Sequence, residues 1–416
     1  MFSNKDLRKL IIPLVIEQLL AVTIGMADTV MVSSCGEAAV SGISLVDSIN
    51  FLLITLFSSL ATGGAVIASQ YIGRGDHKSA SLAAKQLFYA SLALSAVLGV
   101  IAVFFRKPVL NMVFGSIEAD VMAHAQIYFL LSAISYPFLA VYNAGAALFR
   151  SMGDSRTTML ISILMNTINI VGNAILIYGF QMAAAGAATA SLVSRAVGAI
   201  IITVLLLNPR RIIFYDKLHK PEIHLSMLKS ILQIGVPNGL ENSIFQIGKI
   251  LVASIVSGFG TISITANAVA GNLASLQVIP GMALGMAMIT VVGQCIGAKD
   301  YEAVKKYTKK LMLITYGVVW AMTLLMLLFS KQILSFYSLS EETTTMTMEV
   351  FIVHGICAVI VWPLAFALPN ALRAANDVRF TMIVSLLSMW IFRIGFSYVL
   401  AIYFNMGILG TWIAMC

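Results

Sequence analysis

Charge is what this sequence has least of. Only 11% of its 416 residues are Asp, Glu, Lys or Arg, while 59% are hydrophobic. A soluble domain carries about 25% charged residues, so a soluble fold is excluded. The apolar runs are also separated by loops too short to hold a soluble domain. Four cysteines, Cys35, Cys295, Cys357 and Cys416, stand far apart without CxxC or Cys/His spacing, so neither a disulfide framework nor a metal site is indicated. HExxH, DxxxD and GxSxG are missing, as is a Gly-rich phosphate loop followed by Lys. Those absences argue against a membrane-embedded enzyme and against ATP hydrolysis, and no cofactor is expected. The N-terminus runs straight into the first apolar stretch with no small-residue cleavage site. That stretch is read as its own targeting signal.

What the chain does have is length in apolar segments. Windows of about 20 residues, enough to cross a bilayer, recur eleven times between residues 10 and 404, and a twelfth starts near 407. Those near 40–72 and 262–296 exceed one crossing, so they are expected to tilt, bend or project. Basic residues then orient the spans. Lys5, Arg8 and Lys9 precede span one; Arg74, Lys78 and Lys85 follow span two; Arg150 and Arg156 follow span four. Arg210, Arg211, Lys217, Lys220 and Lys229 follow span six, and further lysines and arginines follow spans eight and ten. The opposite loops hold only Arg106, Lys107 and Lys331. Both termini are therefore expected in the cytoplasm. The net charge of +8 is a topology signal, and nucleic-acid binding is rejected.

The two halves repeat. At an offset of 224 residues, Pro13 matches Pro237, Glu17 matches Glu241, Gly36 matches Gly260, and Gln70, Gly73 and Asp76 match Gln294, Gly297 and Asp300. Arg150, Asp154 and Arg156 match Arg373, Asp377 and Arg379 at 223. Repeated Pro, Glu, Gln and Asp are far less expected by chance than repeated Leu. The fold class expected is an all-α polytopic membrane protein of about 12 transmembrane helices, the last incomplete, in two pseudo-two-fold related six-helix bundles. The division expected is an N-terminal lobe 1–207, a cytoplasmic linker 208–228 with Pro209 and Pro221, and a C-terminal lobe 229–416. Six spans per repeat put the symmetry axis along the membrane normal, an architecture for alternating access.

Within the first span, Glu17 and Asp28 lie eleven residues apart, so they share nearly one helix face about 16 Å apart. An aspartate at a membrane helix centre costs roughly 2.5–3.5 kcal/mol on the gentlest scale, and such a group is a functional candidate by default. Asp28 has no acidic counterpart in the repeat, where Val252 stands; the bland reading is a hydrogen-bonded carboxylate kept for packing. Glu17 and Glu241 each follow a proline by one turn. Either they satisfy backbone groups freed by the proline or pair with a neighbour, or they form a gate or cation contact. Arg393, one turn after Trp390, is a candidate partner for Glu241. Asn169 and Asn173 share a helix face, as ligands of one cation or as ordinary interhelical hydrogen bonders. Arg150, Asp154 and Arg156 read as structural ion pairs at a cytoplasmic helix end. His124 and His354 stand without metal-ligand partners.

GMADTVMVSS (25–34), the QxxG elements at Gln70–Gly73 and Gln294–Gly297, LFRSMGDSR (148–156), LRAANDVR (372–379) and NTINIVGNAILIYG (166–179) resemble the multidrug and toxic compound extrusion (MATE) exporters. The resemblance covers the whole chain. It implies a secondary drug/cation antiporter driven by H⁺ or Na⁺, with twelve helices in two lobes. Carried over, Asp28 belongs to the coupling site of the N-terminal lobe, joined by Asn169, Asn173 and Thr189. Pro13 stands where some members bend their first helix. Some relatives carry an aspartate at the position of Asn173, so a two-carboxylate proton site is weakened here. Only about ten residues follow Asn405, so the twelfth helix departs from the family's length. Partners expected are small organic cations or amphipathic drugs and membrane lipid, for a monomer in the plasma (inner) membrane. A flippase for lipid-linked oligosaccharides is the alternative within transport; it would call for a more cationic cavity than Arg195, Lys249 and Arg393 supply.

Overall fold

In hydrocarbon every backbone N–H and C=O has to be satisfied within the protein, which restricts spanning segments to helices or closed barrels. The computed structural model describes residues 2–115, 118–216, 218–220, 222–337 and 339–416, the side chains at 24, 26, 27 and 29 excepted. Every regular element among them is helical. Lys217 and Pro221, counted above with the linker, lie outside the described residues, as do the side chains of Met26, Ala27 and Thr29 in the 25–34 segment.

The chain divides into two compact units, one of residues up to 239 with 297–299, the other of 240–296 with 300–416. The first holds α1 (Asn4–Ser33), α2 (Glu37–Gly73), α3 (His77–Phe114), α4 (Ala119–Ser151), α5 (Ser155–Asn173), α6 (Ala183–Leu206) and the start of α7 (Leu225–Ser257). The second holds the rest of α7, α8 (Thr261–Gly297), α9 (Tyr301–Leu328), the short α10 (Ser330–Ser335), α11 (Glu341–Ile360), α12 (Leu368–Ala374), α13 (Val378–Leu387) and α14 (Gly407–Met415). Wider π-helical turns extend α5 over 174–179, precede α12 at 363–367, and follow α13 at 388–396 and 399–403. Ten of the described helices are long and apolar enough to cross a membrane. α2 and α8, 37 residues each, run about 55 Å at 1.5 Å per residue, well beyond a 30 Å hydrocarbon core.

The repeated residues turn out to be punctuation. Gly36 before α2 and Gly260 before α8 adopt φ of +94° and +89°, a region where a Cβ is strained. Asp76 and Asp300 cap α3 and α9, accepting from the backbone N–H of Ser79 at 3.0 Å and Ala303 at 2.9 Å. Donation from the Ser79 hydroxyl and amide holds the exposed Asp76 carboxyl below its ordinary value. The third helix runs further than its apolar window. α3 kinks at Phe105, three residues before Pro108, and continues to Phe114, so Arg106 and Lys107 sit in helix rather than in a loop.

In the first unit α4 is the hub: it packs against α2, α3 and α6, while α5 packs against α1 and α6. Val46, Phe57, Leu110, Phe129 and Tyr136 form one core cluster. Segment 207–224 is fastened to one face of α3. Tyr89 donates to the Leu218 carbonyl at 2.8 Å, Gln86 to the Glu222 carbonyl at 2.6 Å, and Gln86 accepts from His224 N–H at 3.0 Å. Buried Tyr215 lies against Phe88 with ring centroids 5.3 Å apart.

Candidate functional site

α1 passes beside the end of α5, and that crossing positions the site. Asp28 is half-buried on α1. Asn173, the last residue of α5 before its helix widens, is 1% exposed and donates through Nδ2 to Asp28 Oδ1 at 2.6 Å. One turn earlier, Asn169 accepts from Asn173 at 3.4 Å and donates to the Ser191 hydroxyl of α6 at 3.0 Å. Because Asn173 turns its amide nitrogen to the carboxylate, its Oδ1 points elsewhere, buried and without a hydrogen-bond partner. An unsatisfied buried acceptor costs about 1–3 kcal/mol. The Asp28 carboxylate, with a buried unpartnered carbonyl oxygen on the same asparagine that holds it, offers the oxygen-donor chemistry that hard cations take and that a proton also meets. π-type widening of a helix is found frequently at functional positions.

Thr189 is on α6, but its hydroxyl donates to the Ala185 carbonyl of its own helix at 2.7 Å; Ser191 is the α6 residue that reaches Asn169. Pro13 lies inside α1, one turn before Glu17. Glu17 is 8% exposed, pairs with Arg150 at 3.4 Å and accepts from Thr158 at 2.8 Å. Its repeat, Glu241, pairs with Arg373 at 2.8 Å and accepts from Ser385 at 2.8 Å. The matched Arg150 and Arg373 are thus the partners of the matched glutamates. Arg393, the partner suggested by its place inside a span, does not pair with Glu241. It lies instead over the Phe245 ring, 5.0 Å from the centroid. Asp154, read as part of an ion pair with its neighbours, is paired with Arg211 at 3.3 Å.

Sequence reasoning passed over Asp47. It sits on an exposed face of α2 and accepts from the Tyr128 hydroxyl at 3.0 Å and from Asn50 at 3.3 Å. Buried Asn50 in turn accepts from Tyr136 at 2.8 Å. Arg195 of α6 donates to the Ser135 hydroxyl at 2.7 Å. The signal was available: an acid inside an apolar window with an amide three residues on, the same rule that picked out Asp28.

Bundles of membrane-length helices with ionisable groups hydrogen-bonded in their interior define an all-α membrane transport protein. A family model described as MatE matches the chain twice, over residues 13–175 and 237–399. The chain belongs to the MatE family, whose members are transporters and not enzymes. It is 27% identical to the "Uncharacterized transporter YisQ" of Bacillus subtilis (strain 168), covering 97% of this chain and 88% of that one. To the "Probable multidrug resistance protein NorM" of Thermotoga maritima it is 26% identical, over 99% of this chain and 89% of the relative. Among solved structures, a MATE crystal structure in the bent conformation superposes with a TM-score of 0.90 at 20% identity, covering 99% of this chain and 91% of that one. Twelve membrane helices in two bundles is the architecture of that fold.

Proposed function

We propose that this chain exports organic cations and other amphipathic compounds in exchange for inward H⁺ or Na⁺. Asp28, Asn173 and Asn169 hold the coupling ion, with Thr189 on the neighbouring helix. The observation that carries the reading is the 2.6 Å Asn173–Asp28 hydrogen bond beside the unpartnered Asn173 Oδ1. A proton on Asp28 removes its charge. A Na⁺ ion there would take the carboxylate oxygens, and the Asn173 carbonyl only after its amide turns over. Either event changes what α1 must bond to α5, and α1 carries Pro13, which lacks the N–H to tie its own turn. A local electrostatic change acting on a bendable helix is the form a transport switch takes. The relatives named for multidrug resistance support the substrate class.

Glu17 and Glu241 are too well paired to be coupling groups, and we read them as clamps that fix α1 and α7 below their prolines. Monomeric action in the plasma (inner) membrane, with both lobes beginning on the cytoplasmic side, completes the reading. Energetically no nucleotide is needed. One net inward charge per cycle yields about 2.3 kcal/mol per 100 mV, and at about 1.4 kcal/mol per tenfold that sustains a roughly 50-fold gradient of a neutral compound, whereas one-for-one exchange of a monovalent cation draws on the ion's concentration gradient alone. The experiment is reconstitution in liposomes with a fluorescent organic cation, under an imposed pH gradient alone and then a Na⁺ gradient alone. One arm drives efflux if the reading holds; efflux under neither refutes it.

A further inference from the structure

With Glu241 taken by Arg373 and Ser385, two basic groups within the membrane spans of the second unit, Lys249 and Arg393, have no acidic partner among the described residues. Arg393 stands 5.0 Å and Lys249 Nζ 5.5 Å from the centroid of the same ring, Phe245. Among the described residues neither forms an ion pair. Arg393 Nε is buried without a hydrogen-bond partner, while Lys249 is exposed. Their approach is built in. Gly248, next to Lys249 on α7, leaves room for the sulfur of Met389, one turn before Arg393, and a Cβ at Gly248 would collide with it. The aromatic surface continues from Phe245 edge-on to Phe366 at 5.9 Å, and Phe366 stacks on Trp362 at 5.4 Å.

Two like charges converging on one ring repel each other, and in apolar surroundings an ionised group is kept only with a counter-charge. Cation–π contacts relieve part of that cost but bring no negative charge. The repeat says the same. The two family matches end at 175 and 399, so counting back 224 residues sets Arg393 on Asn169, Ser397 on Asn173 and Val252 on Asp28. Where the first unit offers an acid and two amides, the second offers a guanidinium with a lysine beside it. The charge of the site is inverted between the repeats.

We propose that Lys249 and Arg393 form an anion-binding site for aromatic carboxylates. Arg393 grips the carboxylate through its planar fork, Lys249 adds a point charge, and the ligand's ring lies on the Phe245–Phe366–Trp362 wall. The site is probed by binding alone, without any ion gradient, so its failure leaves the export reading standing and the converse also holds.

The test is equilibrium dialysis of 2-naphthoate and of its neutral amide, 2-naphthamide, against the purified full-length chain in nanodiscs of zwitterionic lipid. The carboxylate is expected to bind about tenfold or more tightly than the amide. Lys249→Gln and Arg393→Gln should each bring that preference to within about twofold, and Arg393→Lys should restore part of it. Lys249 is exposed, so its variant is expected to fold; melting temperatures check both. Equal binding of the two probes, or a preference that survives both substitutions, overturns the proposal.

Discussion

Asn173 carries two opposed roles in one side chain. Its Nδ2 supports the Asp28 carboxylate while its Oδ1 is buried without a donor. Replacing it with Ala removes both. Asn173→Ala is expected to weaken apparent Na⁺ affinity by about tenfold or more, since a hydrogen bond to a charged group is worth about 1.5–3 kcal/mol, and to leave proton affinity undiminished, because the lost Nδ2 bond favours the ionised carboxylate. Thermal stability should be kept or raised, because a buried orphan acceptor disappears with it; transport titrations against pH and Na⁺, with melting curves, read both. Glu241 behaves in the opposite way. Glu241→Gln strands a buried guanidinium and should cost about 3–5 kcal/mol, whereas Glu241→Leu with Arg373→Met should recover most of that loss in detergent unfolding. Much of this chemistry was legible residue by residue. An acid in an apolar window and two amides on one helix face singled out Asp28, Asn169 and Asn173, and the family resemblance joined them; the structure brings Asn173 to Asp28, while their role in coupling is our proposal. Asp47 was lost inside a longer apolar run. Arg393 was the candidate because a sequence shows which base lies within a span, not which one reaches Glu241 in the fold.

At the level of elements, the repeat could be read while its meaning could not. Matching Gly, Asp and Glu–Arg positions mark where helices start and are tied, and only the backbone shows it: positive φ at Gly36 and Gly260, caps at Asp76 and Asp300. Gly36→Val and Gly260→Val should each destabilise by about 1–2 kcal/mol, the penalty of a Cβ in the left-handed region, with Gly75 as a further positive-φ control. The Asp76 cap also sets a pH window. Its carboxyl is lowered in the folded chain, so its contribution is complete above the ordinary value near 4 and is lost as pH falls through the lowered one. Amide exchange in the first turn of α3 should therefore speed up only in that acid range. The fastening of segment 207–224 to α3 was not legible, because Ser81, Gln86 and Tyr89 contact it 129 or more residues along the chain. Gln86→Ala, which removes two of those bonds, should make the segment cleave faster under limited proteolysis, leaving the helices intact.

For the whole molecule, scarcity of charge settled the class: a chain 59% hydrophobic, with apolar runs of about 20 residues rather than short alternating ones, reads as helical in a membrane, and a doubled family match then follows its internal repeat. Each bundle spends its few ionisable groups differently. The first gathers Asp28 and Asp47 with Arg195, while the second ties Glu241 to Arg373 and leaves Lys249 and Arg393 over an aromatic ring. Such asymmetry on a repeated scaffold is the ground on which we propose the driving ion in the first unit. The direct test compares wild type with Asp28→Asn in the same liposomes, measuring equilibrium exchange of a fluorescent organic cation and then its gradient-driven accumulation. The account predicts that Asp28→Asn keeps exchange within a few-fold of wild type and loses accumulation against the gradient. Accumulation at the wild-type rate in Asp28→Asn would contradict it.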